Sequence, residues 1–397
     1  MWHPGDRLGP LVAEALVDHF HGTLFSGLIG GAVEVYVRWA SWSGEGSAPR
    51  PMPFPVSPSV GDGPRFVAIV PVISRSMADA VSDRGPWMDY VAQIPAAQKA
   101  YPDRVALFPL ITSDRLGGST LDSILGGRQR IGRVLTRDDI ARVPWRRDLV
   151  QGLTQFVHGP GSRIQVFISH TRQSARSGAM ITALTDLVRT AIRNSRLGEF
   201  FDAQDLQPGE DWAAELRTAA GNSALLALRS DLYASRAWCQ EEVLTAKLAG
   251  TPVVILDALV EGEERGSFLM DHVPRVPVRC EGDGWSRDDV DRALSLLVDE
   301  ALKRALWHRQ RELTQEIEAL DVDWWAPHAP EPITLAAWLG EHLDEVKRAE
   351  RAPMLVLHPD PPLGNPERDV LSQLLRLAGS QRDLEVVTPR QLGARNG

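Results

Sequence analysis

Glu242 is the side chain in this sequence whose surroundings best suit chemistry. It follows a compact apolar run, Ala224-Leu225-Leu226-Ala227-Leu228, whose length suits a buried strand better than a helix. It lies in Trp238 to Leu248, where Trp238, Glu242 and Thr245 recur at helical spacing before a closing Gly250. A carboxylate one turn into a helix that opens just past a strand end points into the crevice where open α/β sheets bind ligands. Its neighbour Glu241 is the competing carboxylate, turned about 100° around the same helix by the one-residue offset. On composition and spacing alone, a solvated helix carboxylate, the usual fate of Glu, is the favoured reading of Glu242.

Two further polar clusters stand at comparable places. At Phe167-Ile168-Ser169-His170-Thr171-Arg172 a strand ends and polar residues begin, which puts Ser169, His170 and Arg172 at the carboxyl edge of the expected sheet. Without further context the same residues make an ordinary polar turn. In Phe201-Asp202-Ala203-Gln204-Asp205-Leu206-Gln207-Pro208-Gly209, Pro208 presets φ and Gly209 permits positive φ, so the pair reads as a tight turn between strand and helix. Asp202 and Asp205 also fit plain loop and helix caps.

The elements that would position these clusters alternate strand and helix. The expected order is strand Ile164 to Ser169, helix Met180 to Ser195, strand Glu199 to Asp202, helix Asp211 to Ala219, strand Ser223 to Leu228, helix Trp238 to Leu248 and strand Pro252 to Leu256. Such alternation predicts a mostly parallel sheet covered by helices. The break at Gly159-Pro160-Gly161 marks a boundary, and three domains are expected at 1–158, 162–285 and 286–397. The first opens with an amphipathic helix over Asp6 to Phe20 and a strand at residues 32–38. It continues with strands at Arg65 to Ile73 and Val105 to Ile111 around a helix containing Trp87, Tyr90 and Val91. The last combines a long helix, Arg287 to about Leu320, with helix Thr334 to Arg348, strand Pro353 to Leu357, a Pro-rich interaction loop from His358, helix Glu367 to Leu377 and strand Leu384 to Val387.

Composition narrows the function classes. The chain of 397 residues has a formal net charge of −9, which argues against a nucleic-acid partner, because phosphate contacts are made mainly by Lys and Arg. No apolar run approaches the roughly 20 residues that span a bilayer, so no membrane association is expected. The start, Met1-Trp2-His3-Pro4-Gly5-Asp6, lacks the order of a secretory leader, and a cytoplasmic location is expected. Cys239 and Cys280 are the only cysteines and lack metal-ligand spacing, so neither a disulfide framework nor a metal site is expected.

Taken together and in order, Phe167-Ile168-Ser169-His170, then Phe201-Asp202-x-x-Asp205-Leu206-x-Pro208-Gly209, then Ser230-x-x-Tyr233-x-Ser235-x-x-Trp238-Cys239-x-x-Glu242 resemble the three boxes of Toll/interleukin-1 receptor (TIR) domains, notably bacterial and plant ones. The resemblance covers Arg163 to about Arg279. It implies a flavodoxin-like α/β fold, here flanked by two smaller α/β modules. It further implies an NAD+ glycohydrolase of bacterial immune or stress signalling, with NAD+ as substrate and no other cofactor. By the same resemblance Glu242 is the catalytic residue and Ser169, His170, Arg172, Asp202 and Trp238 are substrate contacts. Asp205, Leu206, Pro208 and Gly209 form the loop through which copies self-associate. The chain departs from many bacterial members at Thr171 to Ala175, where they place an Asp.

One carboxylate suffices for this reaction, because nicotinamide in NAD+ is a cationic pyridinium that leaves neutral, whereas ordinary glycosides need a second acid. Water would give ADP-ribose, and internal attack a cyclic product. The alternative reading is a non-catalytic TIR-fold adaptor acting by assembly, and either reading leaves room for a regulatory protein partner. Setting Trp87 against Trp238 puts Val91 at the position of Glu242, so the N-terminal module reads as a degenerate TIR-like copy, and Met354 to Val387 as a further partial one.

Overall fold

The computed structural model describes residues 1–25, 33–39, 49–55, 64–83, 85–113, 120–125, 134–159, 163–171, 178–195, 197, 223–263, 265–282, 284–315, 321–348 and 353–396. The chain divides into two compact units, one formed mainly by residues 34–163 with the first 22, the other mainly by residues 164–194 and 198–397.

In the first unit, helix α1 (Gly9–Phe20) buries Val12, Leu16 and Phe20, one per turn. Each expected strand arrives in two pieces: β1 (Val67–Ile69) and β2 (Val72–Ile73), then, after helices α2 (Arg75–Ser82) and α3 (Pro86–Ala100), β3 (Val105–Leu107) and β4 (Leu110–Ile111). Pairing is parallel, β1 with β3 and β2 with β4, at one common register offset, so Pro71 and Pro109 occupy matching positions. Proline has no N–H to donate, which interrupts the ladder there while the strands stay aligned. The Ser74 side chain accepts from Met77 N at 3.3 Å and starts α2 as a separate helix. Short helices α4 (Thr120–Leu125) and α5 (Arg137–Ile140) precede α6 (Pro144–His158). Trp87, Tyr90, Val91 and Ile94 of α3 form the core with Met77 and Val81 of α2.

The strand expected at residues 32–38 does not form over the described residues 34–38. Arg38 O accepts from Trp2 N at 3.2 Å, Val35 N donates to a His21 ring nitrogen at 3.3 Å, and Val37 O accepts from the Arg38 guanidinium at 2.9 Å. With three of its backbone groups bonded to scattered partners and Tyr36 exposed, this β-branched segment pairs with no strand among the described residues.

The second unit is built on a parallel four-stranded sheet in the order β5 (Gln165–Ser169), β6 (Ser223–Arg229), β7 (Val253–Asp257), β8 (Arg275–Pro277). With α7 (Gly178–Arg193) and α8 (Ala237–Ala249), this is the α/β architecture expected for the middle of the chain. Ala224 to Leu228 are all buried, as a strand with both faces covered requires. Phe167, Leu225, Ala227, Val253 and Ile255 share a core with Cys239, Val243 and Ala246 of α8. A hairpin, β9 (Cys280–Glu281) and β10 (Gly284–Trp285), leads into the long helix α9 (Arg287–Gln315), which packs against β6, β7 and β8. Strand β8 carries no sequence signal beyond Val276 between proline and arginine neighbours.

The same unit ends in a three-stranded parallel sheet, β11 (Trp324–Trp325), β12 (Met354–Leu357) and β13 (Leu384–Val387), with helices α10 (Pro332–Arg348), α11 (Asn365–Leu377) and α12 (Pro389–Asn396). His358, placed at the head of an interaction loop by the sequence, is fully buried at the end of β12. The strand expected at Glu199 to Asp202, the loop through Gly209 and the helix Asp211 to Ala219 lie outside the described residues.

Candidate functional site

Strand β5 ends on Ser169 at the carboxyl edge of the sheet, in register with Ala227 of β6, and Ser230 follows directly after the end of β6. After β6 the chain turns through Tyr233, whose N–H donates to Ser230 O at 2.9 Å and whose carbonyl accepts from Arg236 N at 3.1 Å. Arg236, in extended conformation, then caps α8. Within α8, Cys239, Val243 and Ala246 form the buried stripe, and Glu242, three residues after Cys239, falls on that face. Glu242 is 3% exposed, whereas Glu241 faces solvent.

The buried carboxylate is held by a chain of hydroxyls. Ser169 Oγ donates to Glu242 Oε2, and the Tyr233 hydroxyl lies 2.5 Å from Ser169 Oγ. A serine has one proton; with Glu242 ionised that proton goes to the carboxylate, so Tyr233 donates to Ser169. Burial first, with the neighbouring Cys239 and Glu242 groups adding to it, pushes the Tyr233 phenol well above its ordinary range, so it keeps the proton this order requires. Burial, reinforced by Glu242, pushes the Cys239 thiol up to about 12, which makes it a neutral packing group and not a nucleophile.

Around this chain the loops are pinned. Thr171 Oγ1 and Ser230 Oγ, 2.9 Å apart, join the ends of β5 and β6. Asp231 accepts from the backbone N–H groups of Val260, Glu261 and Gly262 at 2.9, 3.2 and 3.1 Å. Gly262 has φ +97, which suits glycine alone, and lets the turn present those donors together. Arg229 grips Glu263 with Nε at 2.9 Å and Nη2 at 2.5 Å. The loop after β7 is thereby fixed as a rigid lip bearing the exposed Leu259 and Val260.

Of the residues named from the sequence, Ser169 and Glu242 meet directly. His170 is half-buried one residue on, its Nδ1 3.3 Å from Thr171 O. Trp238 stands in the first turn of α8 with 54% of its surface exposed. Arg172, Asp202, Asp205, Leu206, Pro208 and Gly209 lie outside the described residues. Tyr233 is the member that sequence reasoning used only for its spacing; its sole local signal is a phenol set four residues after the end of β6 at Arg229.

A family model of the TIR domain matches residues 166–295. The middle of this chain is a TIR domain. No curated protein and no solved structure matches the chain. The matched stretch of the TIR domain runs from β5 through the sheet into the first third of α9, so it includes Ser169, Tyr233 and Glu242. Among the described residues, no helix is long and apolar enough to cross a membrane. The tryptophans set against each other in the sequence differ in environment: Trp87 is 4% exposed in its module's core, whereas the TIR domain's Trp238 faces solvent.

Proposed function

We propose that the TIR domain is an NAD+ glycohydrolase in which Glu242 is the catalytic carboxylate. The observation that carries this reading is the burial of Glu242 at the carboxyl edge of the sheet, fixed by Ser169 and Tyr233, while the adjacent Glu241 is left to solvent. A carboxylate oriented by hydroxyls in a dry setting stabilises a neighbouring positive charge far better than one in water, and such preorganised contacts are worth about 3–4 kcal/mol of barrier. Glu242 would hydrogen-bond a hydroxyl of the nicotinamide ribose and stabilise the oxocarbenium-like charge at C1′ as the C–N bond breaks. The bonding pair leaves with the pyridinium nitrogen, giving neutral nicotinamide. Water then bonds to C1′ and releases a proton, yielding ADP-ribose; attack by a group of the ADP-ribose itself would give a cyclic product. His170, Arg172, Asp202 and Trp238 are proposed to contact the substrate, Trp238 through its open ring face.

Within this reading the protein works in the cytoplasm as a signalling or defence effector. Its copies assemble through the loop carrying Asp205, Leu206, Pro208 and Gly209, with a regulatory protein partner able to act on the flanking modules. A second reading, an adaptor that acts by assembly alone, draws on the exposed Trp238, Val260 and Phe268 of the TIR domain. The deciding experiment is incubation of the purified full chain with NAD+ over a range of protein concentrations, with chromatographic detection of nicotinamide and ADP-ribose. Turnover per molecule should rise with concentration and vanish in a Leu206→Asp, Gly209→Arg variant. No nicotinamide at any concentration would leave the adaptor reading standing.

A further inference from the structure

The helix that carries Glu242 is seated at its far end in a socket made largely of residues beyond the family match. Lys247 is 4% exposed, and its ammonium spends all three protons: on Glu331 Oε1 and Oε2 at 3.0 and 2.8 Å and on Asp271 O at 2.8 Å. The Lys247 carbonyl, in the last turn of α8, accepts from Gly250 N at 3.0 Å and faces His328 Nε2 at 3.0 Å. Gly250 closes the helix at φ +68, and a Cβ there would lie 2.1 Å from Arg304 Nη2 and 2.7 Å from Pro327 Cβ. Arg304 Nη1 in turn donates to Pro327 O. Thr334 Oγ1 both accepts from Glu331 N at 2.9 Å and donates to Glu331 O at 3.1 Å, which fixes the backbone that presents the carboxylate. Arg304, Pro327, His328 and Glu331 all lie past residue 295, where the match to the TIR family ends.

Glu242 and Lys247 are five residues apart on one helix, an axial separation of about 7.5 Å. An α-helix that short moves as a rod, so whatever sets its C-terminal end also sets the carboxylate. The bond from Ser169 to Glu242 tolerates only a few tenths of an ångström, and a displacement of about 1 Å in a reacting group costs on the order of a hundredfold in rate. A buried ion pair contributes little net stability compared with apolar packing, but it holds its partners to one geometry, and removing one partner strands the other charge.

We propose that the buried Lys247–Glu331 pair, with His328 on the Lys247 carbonyl, is a positioning clamp. Through it the C-terminal module sets where α8 stands and therefore where Glu242 meets Ser169. Glu331 and Lys247 are positioning residues that touch no substrate. The kinetic part of this inference rests on the NAD+ reading; the structural part does not.

The test compares three forms of the full chain: wild type, Glu331→Gln, and Leu371→Ala. Leu371 is buried in a C-terminal core cluster that contains no residue of α8, so its truncation destabilises the module while leaving Lys247, His328 and Glu331 themselves in place. Each is assayed for steady-state NAD+ cleavage at least 15 °C below its own melting temperature, and for amide hydrogen exchange across α8. In Glu331→Gln, kcat should fall by about tenfold or more with KM within about threefold, as for a misplaced group rather than a lost contact. Exchange in α8 should quicken by a similar factor. Leu371→Ala should lower the melting temperature with neither effect. The clamp is refuted if Glu331→Gln leaves kcat and α8 exchange at wild-type values, or if Leu371→Ala reproduces both losses. If the wild type cleaves no NAD+, the substrate reading fails, and the exchange comparison alone decides the clamp.

Discussion

Ser169→Ala tests the hydroxyl chain at its centre, because this one oxygen serves two buried partners. The substitution takes the donor from Glu242 Oε2 and the acceptor from the Tyr233 hydroxyl, and both groups sit where water does not reach. A hydrogen bond to a charged group is worth about 1.5–3 kcal/mol, and an orphaned buried hydroxyl adds about 1 kcal/mol more. The expected loss is therefore about 3 kcal/mol. Tyr233→Phe removes only the outer link and leaves Ser169 bonded to the carboxylate, so about 1 kcal/mol is expected. Because the links share an atom, the double variant should lose less than the sum of the two, by about 1 kcal/mol. The assay is urea unfolding by far-UV circular dichroism, read as the midpoint shift of the transition that melts the sheet unit, with NAD+ turnover on the same samples. Turnover should fall more in Ser169→Ala than in Tyr233→Phe, following the distance from the carboxylate. A Tyr233→Phe loss equal to or larger than that of Ser169→Ala, or strict additivity in the double variant, would refute the order of donors argued here.

Other consequences are open to direct measurement. Glu242→Gln should abolish NAD+ cleavage with the fold retained, since the amide keeps the volume and removes the charge, whereas Glu241→Gln, on the solvent side of α8, should keep activity within about threefold; equal losses would show the helix phase is wrong. A maleimide at pH 8 should label the exposed Cys280 within minutes and Cys239 only in denaturant, because burial holds the Cys239 thiol up at about 12; fast double labelling of the native protein contradicts this. Burial also lowers the His358 imidazole to about 4, so the unfolded chain binds its proton first as pH falls. That contribution is complete above about pH 6.5 and is lost between there and about pH 4, up to about 3 kcal/mol. The stability difference between wild type and His358→Gln, measured across this window, should shrink as pH falls; a constant difference would show that His358 does not titrate there.

Local pattern carried a large part of the fold. Ala224 to Leu228 announced a buried strand and Gly250 announced the end of α8, whereas spacing set only the turn of about 100° between Glu241 and Glu242, and the packing of α8 on the sheet decided which of the two is buried. The expected strand Leu384 to Val387 also matches β13 at both ends. Pairing is different, since it depends on which elements become neighbours. Ser169 and Glu242 are 73 positions apart, and Lys247 and Glu331 are 84 apart. No periodicity links such residues; they meet because β5 and α8 share a sheet edge and because α10 follows a turn that reaches the end of α8. The strand expected near residue 35 finds no partner strand among the described residues, whereas the two-residue β11 is a strand because β12 lies beside it. A strand is completed by hydrogen bonds to another part of the chain, and the free energy of those bonds belongs to the packed structure, whereas a helix satisfies its backbone within its own sequence.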